Sequence, residues 1–185
     1  MKVIETAIPE VKIIEPSIFE DSRGYFFESF NEKLFKKKVY DTTFIQDNEA
    51  KSTYGVLRGL HYQLPPYAQA KLVRVIKGEV LDVAVDIRRG SPTFKKWVSV
   101  ILSEENKKQL FVPRGFAHGY VVLSDEAIFV YKVDNKYAPD YEASIKFDCS
   151  ELAIEWEIEK SHILTSVKDS DLPGVSEAKL HNFFD

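Results

Sequence analysis

The sequence predicts a mainly β fold, an antiparallel sandwich or barrel with only a few short helices. Short apolar runs follow one another at short intervals, and turn-forming residues such as Ser, Asp, Asn, Gly and Pro separate them. Aromatic residues make up 13% of the chain, with 13 Phe and 9 Tyr, and this enrichment favours β structure. Short strands at this spacing indicate antiparallel sheets rather than alternating βαβ units.

The first elements in chain order are a helix and a strand. The helix is predicted at residues 31–39, NEKLFKKKV, where Leu34 and Phe35 share one face and the basic run at 36–38 is its solvated side. The strand is predicted in RGLHYQLP, residues 58–65, whose apolar positions build a core.

The most regular β pattern covers residues 71–88. From residue 81 to residue 87, Leu, Val, Val and Ile alternate with Asp, Ala and Asp, which is the period of a half-buried strand. Lys, Gly and Glu at 77–79 form a turn before it. Residues 71–88 are therefore predicted to form a hairpin.

Further runs continue the β pattern towards the C-terminus. Four of them predict strands, at residues 97–102, 109–113, 119–123 and 127–133. After Phe147 the pattern becomes irregular, and we expect Trp156 and the Phe pair at 183–184 to pack against the sheets or a partner chain.

Length and composition limit the class of protein. A chain of 185 residues predicts one domain over residues 1–185, large enough to bury a core without disulfides or metals. The formal net charge of −4 gives no reason to expect a nucleic-acid partner. The single cysteine, Cys149, excludes an intramolecular disulfide and is expected to be a small core or surface residue.

The chain has no sequence feature of membrane insertion or export. Its N-terminal stretch MKVIETAIPEVKII lacks the apolar core of a signal peptide, and no run approaches eighteen uninterrupted apolar residues. We therefore expect a cytoplasmic protein with no membrane span.

Common nucleotide and hydrolase motifs are missing from the sequence, which contains no GxxxxGK[ST], GxGxxG, GxSxG or HExxH. Of its four histidines, at positions 61, 118, 162 and 181, two lie in stretches that resemble the signature stretches of cupin jelly rolls. Those stretches are Gly55-x5-His61-x-Gln63 and Pro113-x-Gly115-x-x-His118.

The cupin resemblance predicts a jelly roll of two antiparallel sheets without a metal ion. Metal-binding cupins generally carry a second histidine where Gln63 stands, followed by a glutamate, whereas no carboxylate occurs here between His61 and Glu79. Lys71 and Arg74 fall in that interval, and nearby positive charge opposes a divalent cation.

A group of titratable side chains points to a ligand site. A single histidine near a strand is more often a hydrogen-bonded structural residue than a catalyst. Arg58, His61 and Lys71, however, all lie in apolar surroundings, where charges are costly unless a cleft or an anion accompanies them. The sequence therefore predicts a cleft for a phosphorylated ligand.

Longer motifs identify a family. The chain resembles dTDP-4-dehydrorhamnose 3,5-epimerase from about Ile14 to Pro173, and a motif as long as GVLRGLHYQ is highly specific. The matching stretches are DSRGYFFESF (21–30), FIQDNEAKSTYGVLRGLHYQLPP (44–66), KLVRVIKGEVLDVAVDIRRGSPTF (71–94), QLFVPRGFAHGYVVLSDEA (109–127) and YKVDNKYAP (131–139).

The resemblance implies a cofactor-free homodimer that epimerises a dTDP-4-keto-6-deoxyhexose at C3 and C5. In it His61 matches the base, Tyr131 the acid, and Lys71 the cation that stabilises negative charge on O4. Asp169 matches the carboxylate that hydrogen-bonds the histidine, although Asp171 lies only two residues away and stays an alternative.

The resemblance also implies the substrate-binding residues. Arg23 matches a phosphate contact, while Phe26 and Tyr137 match the aromatics that pack on thymine. In many relatives the N-terminal part belongs to the neighbouring subunit, so residues 23–28 are expected to complete the partner's site. The other implied contacts are Glu28, Gln46, Asn48, Arg58, Lys71, His118, Glu142 and Lys168.

Two departures and three alternatives accompany this interpretation. Glu49 stands where histidine is frequent, and Ala70 stands where glycine precedes the lysine. A C5-only or C3-only epimerase would share the proton-transfer residues. A non-catalytic sugar-nucleotide-binding cupin would explain the basic pocket but not the full set of His61, Asp169 and Tyr131. A metal-dependent cupin dioxygenase is disfavoured by Gln63.

Overall fold

Two large antiparallel sheets and one small ribbon form the protein in the computed structural model, which describes residues 1–180. The predicted packing of the Phe pair at 183–184 and the position of His181 lie outside the described residues. None of the helices within residues 1–180 has the length and apolarity needed to span a bilayer.

The first sheet has six strands, in the order β1 (Lys2–Glu5), β2 (Lys12–Glu15), β10 (Gln109–Val112), β7 (Lys71–Lys77), β12 (Glu126–Val133) and β5 (Gln46–Thr53). The second has five, in the order β13 (Glu142–Ser144), β6 (Leu57–Gln63), β11 (Phe116–Val122), β8 (Glu79–Asp86) and β9 (Trp97–Ser103). The ribbon pairs β3 (Phe19–Asp21) with β4 (Gly24–Phe26). The helices are α1 (Glu32–Lys38) and α2 (Val167–Ser170), with single 3-10 turns at Pro139–Tyr141 and Lys160–His162.

This arrangement confirms the predicted double-sheet jelly roll. The predicted strands at 97–102, 109–113, 119–123 and 127–133 are all present, with ends that move by at most three residues. The predicted helix is present as α1. It is stabilised because the Asn31 side chain accepts the Leu34 N–H at its start and because Phe35 is buried. Phe35 packs with Phe111 on the outer face of the six-stranded sheet.

The predicted hairpin at residues 71–88 is wrong. β7 pairs with β10 and β12 in the six-stranded sheet, whereas β8 pairs with β11 and β9 in the five-stranded sheet. Gly78 connects them with a φ of +75°, and a side chain there would collide with the backbone of Glu126. The glycine turn therefore carries the chain from one sheet to the other instead of reversing it within one.

The prediction of a half-buried β8 is also wrong, because both of its faces are covered. Leu81, Val83 and Val85 face outward and pack beneath the C-terminal segment in the cluster that contains Trp156 and Cys149. The expected burial of Trp156 and the core location of Cys149 are thereby confirmed. The polar face, with Asp82, is fully buried inside the sandwich.

Candidate active site

A bulge in β6 places two of the predicted site residues on one face of the strand. Arg58 pairs with Tyr120 and His61 pairs with His118, so β6 has one more residue than β11 between these two pairs. In a regular strand, residues three apart would face opposite sides of the sheet. The extra residue turns both Arg58 and His61 towards the sandwich interior.

The two neighbouring strands β6 and β11 come unusually close at this bulge. Gly59 has a φ of +143°, and a Cβ built on it would lie 2.5 Å from the Gly119 Cα. A Cβ on Gly119 would likewise lie 3.0 Å from the Gly59 Cα. Glycine is therefore required at both positions for β6 and β11 to approach, and the approach brings the two histidines side by side.

A cavity of about 170 Å³ opens between the sheets beside the bulge. Five predicted site residues line it, and they come from strands of both sheets. The full lining is Ala50, Arg58, His61, Lys71, His118, Tyr120, Phe129 and Tyr131. His61 stands on the five-stranded sheet, whereas Lys71 and Tyr131 stand on the six-stranded sheet that faces it.

His61 is bound to a carboxylate that arrives from a distant part of the chain. Its Nε2 lies 2.7 Å from Oδ1 of Asp169, which is buried on α2. Asp171 ends that helix and is exposed, so the structure brings Asp169 and not Asp171 to the histidine. Because an ionised carboxylate only accepts, the ring nitrogen that faces it carries the proton and the other retains its lone pair.

The surroundings of His61 favour a neutral ring. Burial lowers the pKa of His61, and the positive charge of Lys71 lowers it further. The hydrogen bond and charge of Asp169, with the charge of Glu142, oppose this shift. The result is an imidazole that can accept a proton at neutral pH and whose cationic form Asp169 stabilises.

Lys71 supplies positive charge to the opposite wall. Burial lowers the pKa of its ammonium to about 8, and the negative charges of Asp82 and Glu142 limit the shift. Its backbone is fixed at the strand entrance, because the Ala70 N–H donates to the Asp134 carboxylate at 2.7 Å. Lys71 is therefore still mostly cationic at pH 7 and able to stabilise an anion.

Tyr131 stands near Lys71 in the same sheet, where its register partners are Asn48 on β5 and Val73 on β7. Burial raises the pKa of Tyr131, and the Arg58 guanidinium moderates the increase. The hydroxyl therefore keeps its proton at neutral pH and can donate it.

Asp82 is a site residue that the sequence reasoning missed. His118 Nε2 lies 2.9 and 3.0 Å from the two Asp82 oxygens, and both side chains are buried. The alternation in β8 suggested that Asp82 faces solvent. Ala84, a small residue on the same strand face, was the signal that also fits an interior site. Ser52 was missed as well; its Oγ accepts from the Arg58 Nε at 3.1 Å.

Three predicted contacts form a cluster at the cavity's edge. The Tyr137 hydroxyl donates to Glu142 Oε2 at 2.8 Å, and the Lys168 ammonium donates to the same oxygen at 2.6 Å. Lys168 is the residue before Asp169, so this ion pair also ties α2 to β13. The Gln46 amide donates to the Asn48 side-chain oxygen at 2.8 Å, and both residues lie on the same face of β5 as Ala50 of the cavity wall.

The remaining predicted residues lie away from the cavity. Arg23 and Phe26 belong to the β3–β4 ribbon, where Arg23 is ion-paired with Asp21 and Phe26 is 71% exposed. Glu28 follows the ribbon and accepts from Asn31. Within residues 1–180, no three His, Cys, Asp or Glu side chains are grouped as metal ligands would be.

The fold and this site define a class: a jelly-roll protein with a carboxylate-bound histidine, a tyrosine and a buried lysine in one cavity. The sequence model of the dTDP-4-dehydrorhamnose 3,5-epimerase family matches residues 5–177. A curated dTDP-4-dehydrorhamnose 3,5-epimerase of Shigella flexneri is 58% identical over 170 residues, 91% of this chain and 93% of the relative. The chain belongs to the dTDP-4-dehydrorhamnose 3,5-epimerase family, as its motifs predict.

Solved structures share the fold over nearly the whole chain. A dTDP-6-deoxy-D-glucose-3,5-epimerase from Legionella pneumophila, in complex with dTDP-4-keto-L-rhamnose, is 47% identical with a TM-score of 0.95. The match covers 100% of this chain and 99% of that one. A 3'-monoepimerase from Streptomyces bikiniensis, in complex with dTDP-quinovose, is 34% identical with a TM-score of 0.86, covering 93% and 87%.

Proposed function

We propose that this protein is an isomerase that epimerises dTDP-4-dehydro-6-deoxy-D-glucose at C3 and C5 to dTDP-4-dehydro-L-rhamnose, in dTDP-L-rhamnose biosynthesis. One observation carries the proposal. A single cavity holds a carboxylate-bound histidine on one sheet, with a protonated tyrosine and a buried lysine on the facing sheet. Inversion at carbon needs a base and an acid on opposite sides of the substrate.

The chemistry follows from the C4 ketone of the substrate. The C3–H and C5–H bonds flank this carbonyl, so removal of either proton leaves an enolate whose charge is on O4. His61 accepts the proton, and the imidazolium is stabilised by Asp169. Lys71 stabilises the O4 anion from a buried position, where its charge is weakly screened. Tyr131 then donates a proton from the opposite face, the carbon is inverted, and the ketone reforms.

The comparisons support epimerisation at both carbons. The named 3,5-epimerases share more of this sequence than the 3'-monoepimerase does. The latter shares the fold, so the fold itself does not select between one inversion and two.

The ribbon at β3–β4 supports a homodimer. Phe19 and Phe26 are 66% and 71% exposed on it, which is unusual for large aromatic side chains in a monomer. In the proposed dimer the ribbon reaches the partner's cavity, where Arg23 contacts the diphosphate and Phe26 packs on thymine with Tyr137. Gln46, Asn48, Arg58, His118, Glu142 and Lys168 contribute from the chain that holds the cavity.

The proposal includes a single domain over residues 1–185 and a cytoplasmic location. Both the apolar core between the sheets and the outer core beneath the C-terminal segment contain β8 residues, so the described parts share one framework.

Product analysis in deuterated water tests the activity. The enzyme is incubated with dTDP-4-dehydro-6-deoxy-D-glucose, and deuterium in the product is located by NMR. We expect deuterium at both C3 and C5. Deuterium at one carbon would identify a monoepimerase, and none at either would identify a non-catalytic sugar-nucleotide-binding protein.

A further inference from the structure

The segment that carries Asp169 is attached to the strand that carries His61. The Leu164 N–H donates to the Gly55 carbonyl, and the Leu57 N–H donates to the Leu164 carbonyl, both at 2.8 Å. These bonds fix the chain at the start of β6, four residues before His61. The φ of Gly55 is +77°, and a side chain there would collide with the His162 backbone, so the glycine permits this contact.

From this attachment the chain makes a single helical turn to reach Asp169. α2 has only four residues, which is too short to be stable through its own backbone hydrogen bonds. Its N-cap is Ser166, whose Oγ accepts the Asp169 N–H at 3.2 Å. The direction of the Asp169 side chain therefore depends on this cap.

Ser166 also contacts the carboxylate itself. Its hydroxyl donates to Asp169 Oδ2 at 3.0 Å, while Oδ1 of the same carboxylate lies 2.7 Å from His61 Nε2. Each carboxylate oxygen is thus held by a different partner. Two such bonds fix the rotation of the carboxylate plane, which the bond to His61 alone does not.

We propose that Ser166 is a positioning residue that orients the Asp169 carboxylate towards His61 during proton transfer. The inference rests on the proposed epimerase function for its effect on turnover, whereas its effect on the His61–Asp169 pair is independent of that function. Ser166 acts on His61 through Asp169, and this role needs no contact between Ser166 and the substrate.

Removing the hydroxyl has a specific consequence for His61. Asp169 raises the pKa of His61, and Glu142 adds to this effect, while burial and Lys71 lower it. When the carboxylate is free to turn away, the effect of Asp169 weakens and the pKa of His61 falls. The base then gains a proton less readily, so exchange slows even where the ring is fully neutral.

The test compares Ser166→Ala with Ser166→Thr, which keeps both the hydroxyl and the N-cap. We expect Ser166→Ala to slow deuterium exchange about tenfold, as expected for the loss of one hydrogen bond to a charged group. The acid limb of kcat/KM against pH should move to lower pH. Ser166→Thr should stay within about twofold of the unmodified enzyme, and Asp169→Asn should change both properties more strongly than Ser166→Ala.

A second readout separates positioning from simple helix capping. NMR titration of the His61 ring, assigned by its loss in His61→Ala, should show a lower pKa in Ser166→Ala and an unchanged one in Ser166→Thr. If Ser166→Ala lowers the melting temperature but leaves the rate plateau, the pH limb and the His61 titration unchanged, Ser166 is only a cap and the proposal is wrong. If the unmodified enzyme exchanges no deuterium, the proposed function fails while the NMR titration still decides the role of Ser166.

Discussion

The protonation of Lys71 should set the alkaline limit of activity. Its pKa of about 8 means that about nine tenths of the side chains carry the ammonium at pH 7 and about one tenth at pH 9. If the O4 anion requires this charge, kcat/KM should fall roughly tenfold between these two values. Tyr131 does not account for such a fall, because its raised pKa keeps the hydroxyl protonated at pH 9.

Lys71→Arg tests this assignment, because the guanidinium stays charged up to a pH of about 12. We expect the variant to be slower at pH 7 but to lose the decline above about pH 8. Lys77→Arg, on the exposed end of the same strand, is the matched control and should retain the decline. An unchanged decline in Lys71→Arg would refute the assignment.

The same assignment can be tested without activity. Carbon NMR of lysine labelled at Cε should show one side chain that titrates near pH 8 and disappears in Lys71→Arg. A Lys71 signal that titrates at the usual value of about 10.4 would contradict the reasoning whatever the kinetics show.

Two further predictions concern the acid and the bulge. Tyr131→Phe should slow epimerisation by about 10²–10⁴-fold, measured by product NMR, while deuterium exchange through His61 persists; equal loss of both would contradict the separate roles. Gly59→Ala should lower the free energy of unfolding by well over about 1 kcal/mol, because its Cβ would lie 2.5 Å from the Gly119 Cα. Urea denaturation measures this loss. Gly174→Ala, whose nearest neighbour lies 3.7 Å away, is the control, and equal stability of the two variants would refute the argument.

The strands were predictable from sequence because apolar alternation is a local property. Pairing was not, since the same pattern at 71–88 fits a hairpin or a crossover between sheets, and the Gly78 turn permits the crossover. The sequence also did not show which face of β8 points into the sandwich. Its apolar face lies beneath the C-terminal segment. Trp156 indicated that this segment packs on a sheet or a partner chain, but no pattern showed that it covers β8.

The candidate site shows a similar division. Cationic groups in an apolar stretch predicted a cleft, and Arg58, His61 and Lys71 do line one cavity. Arg58 and His61 point to the same side of the sheet only because of the β6 bulge. Alternation cannot predict this, because the two residues are three apart. The contact with Asp169 spans 108 residues. Only resemblance to a family pointed to it, since no local pattern links positions so far apart.

His61 is the proposed base, in a cavity proposed to bind a dTDP-sugar. The most direct measurement compares the unmodified enzyme with His61→Ala for deuterium exchange at C3 and C5 and for dTDP affinity by calorimetry. We predict that exchange falls by about 10³-fold or more while the dTDP dissociation constant changes less than about threefold. Exchange that persists near the original rate in a variant that still binds dTDP would contradict the assignment of His61.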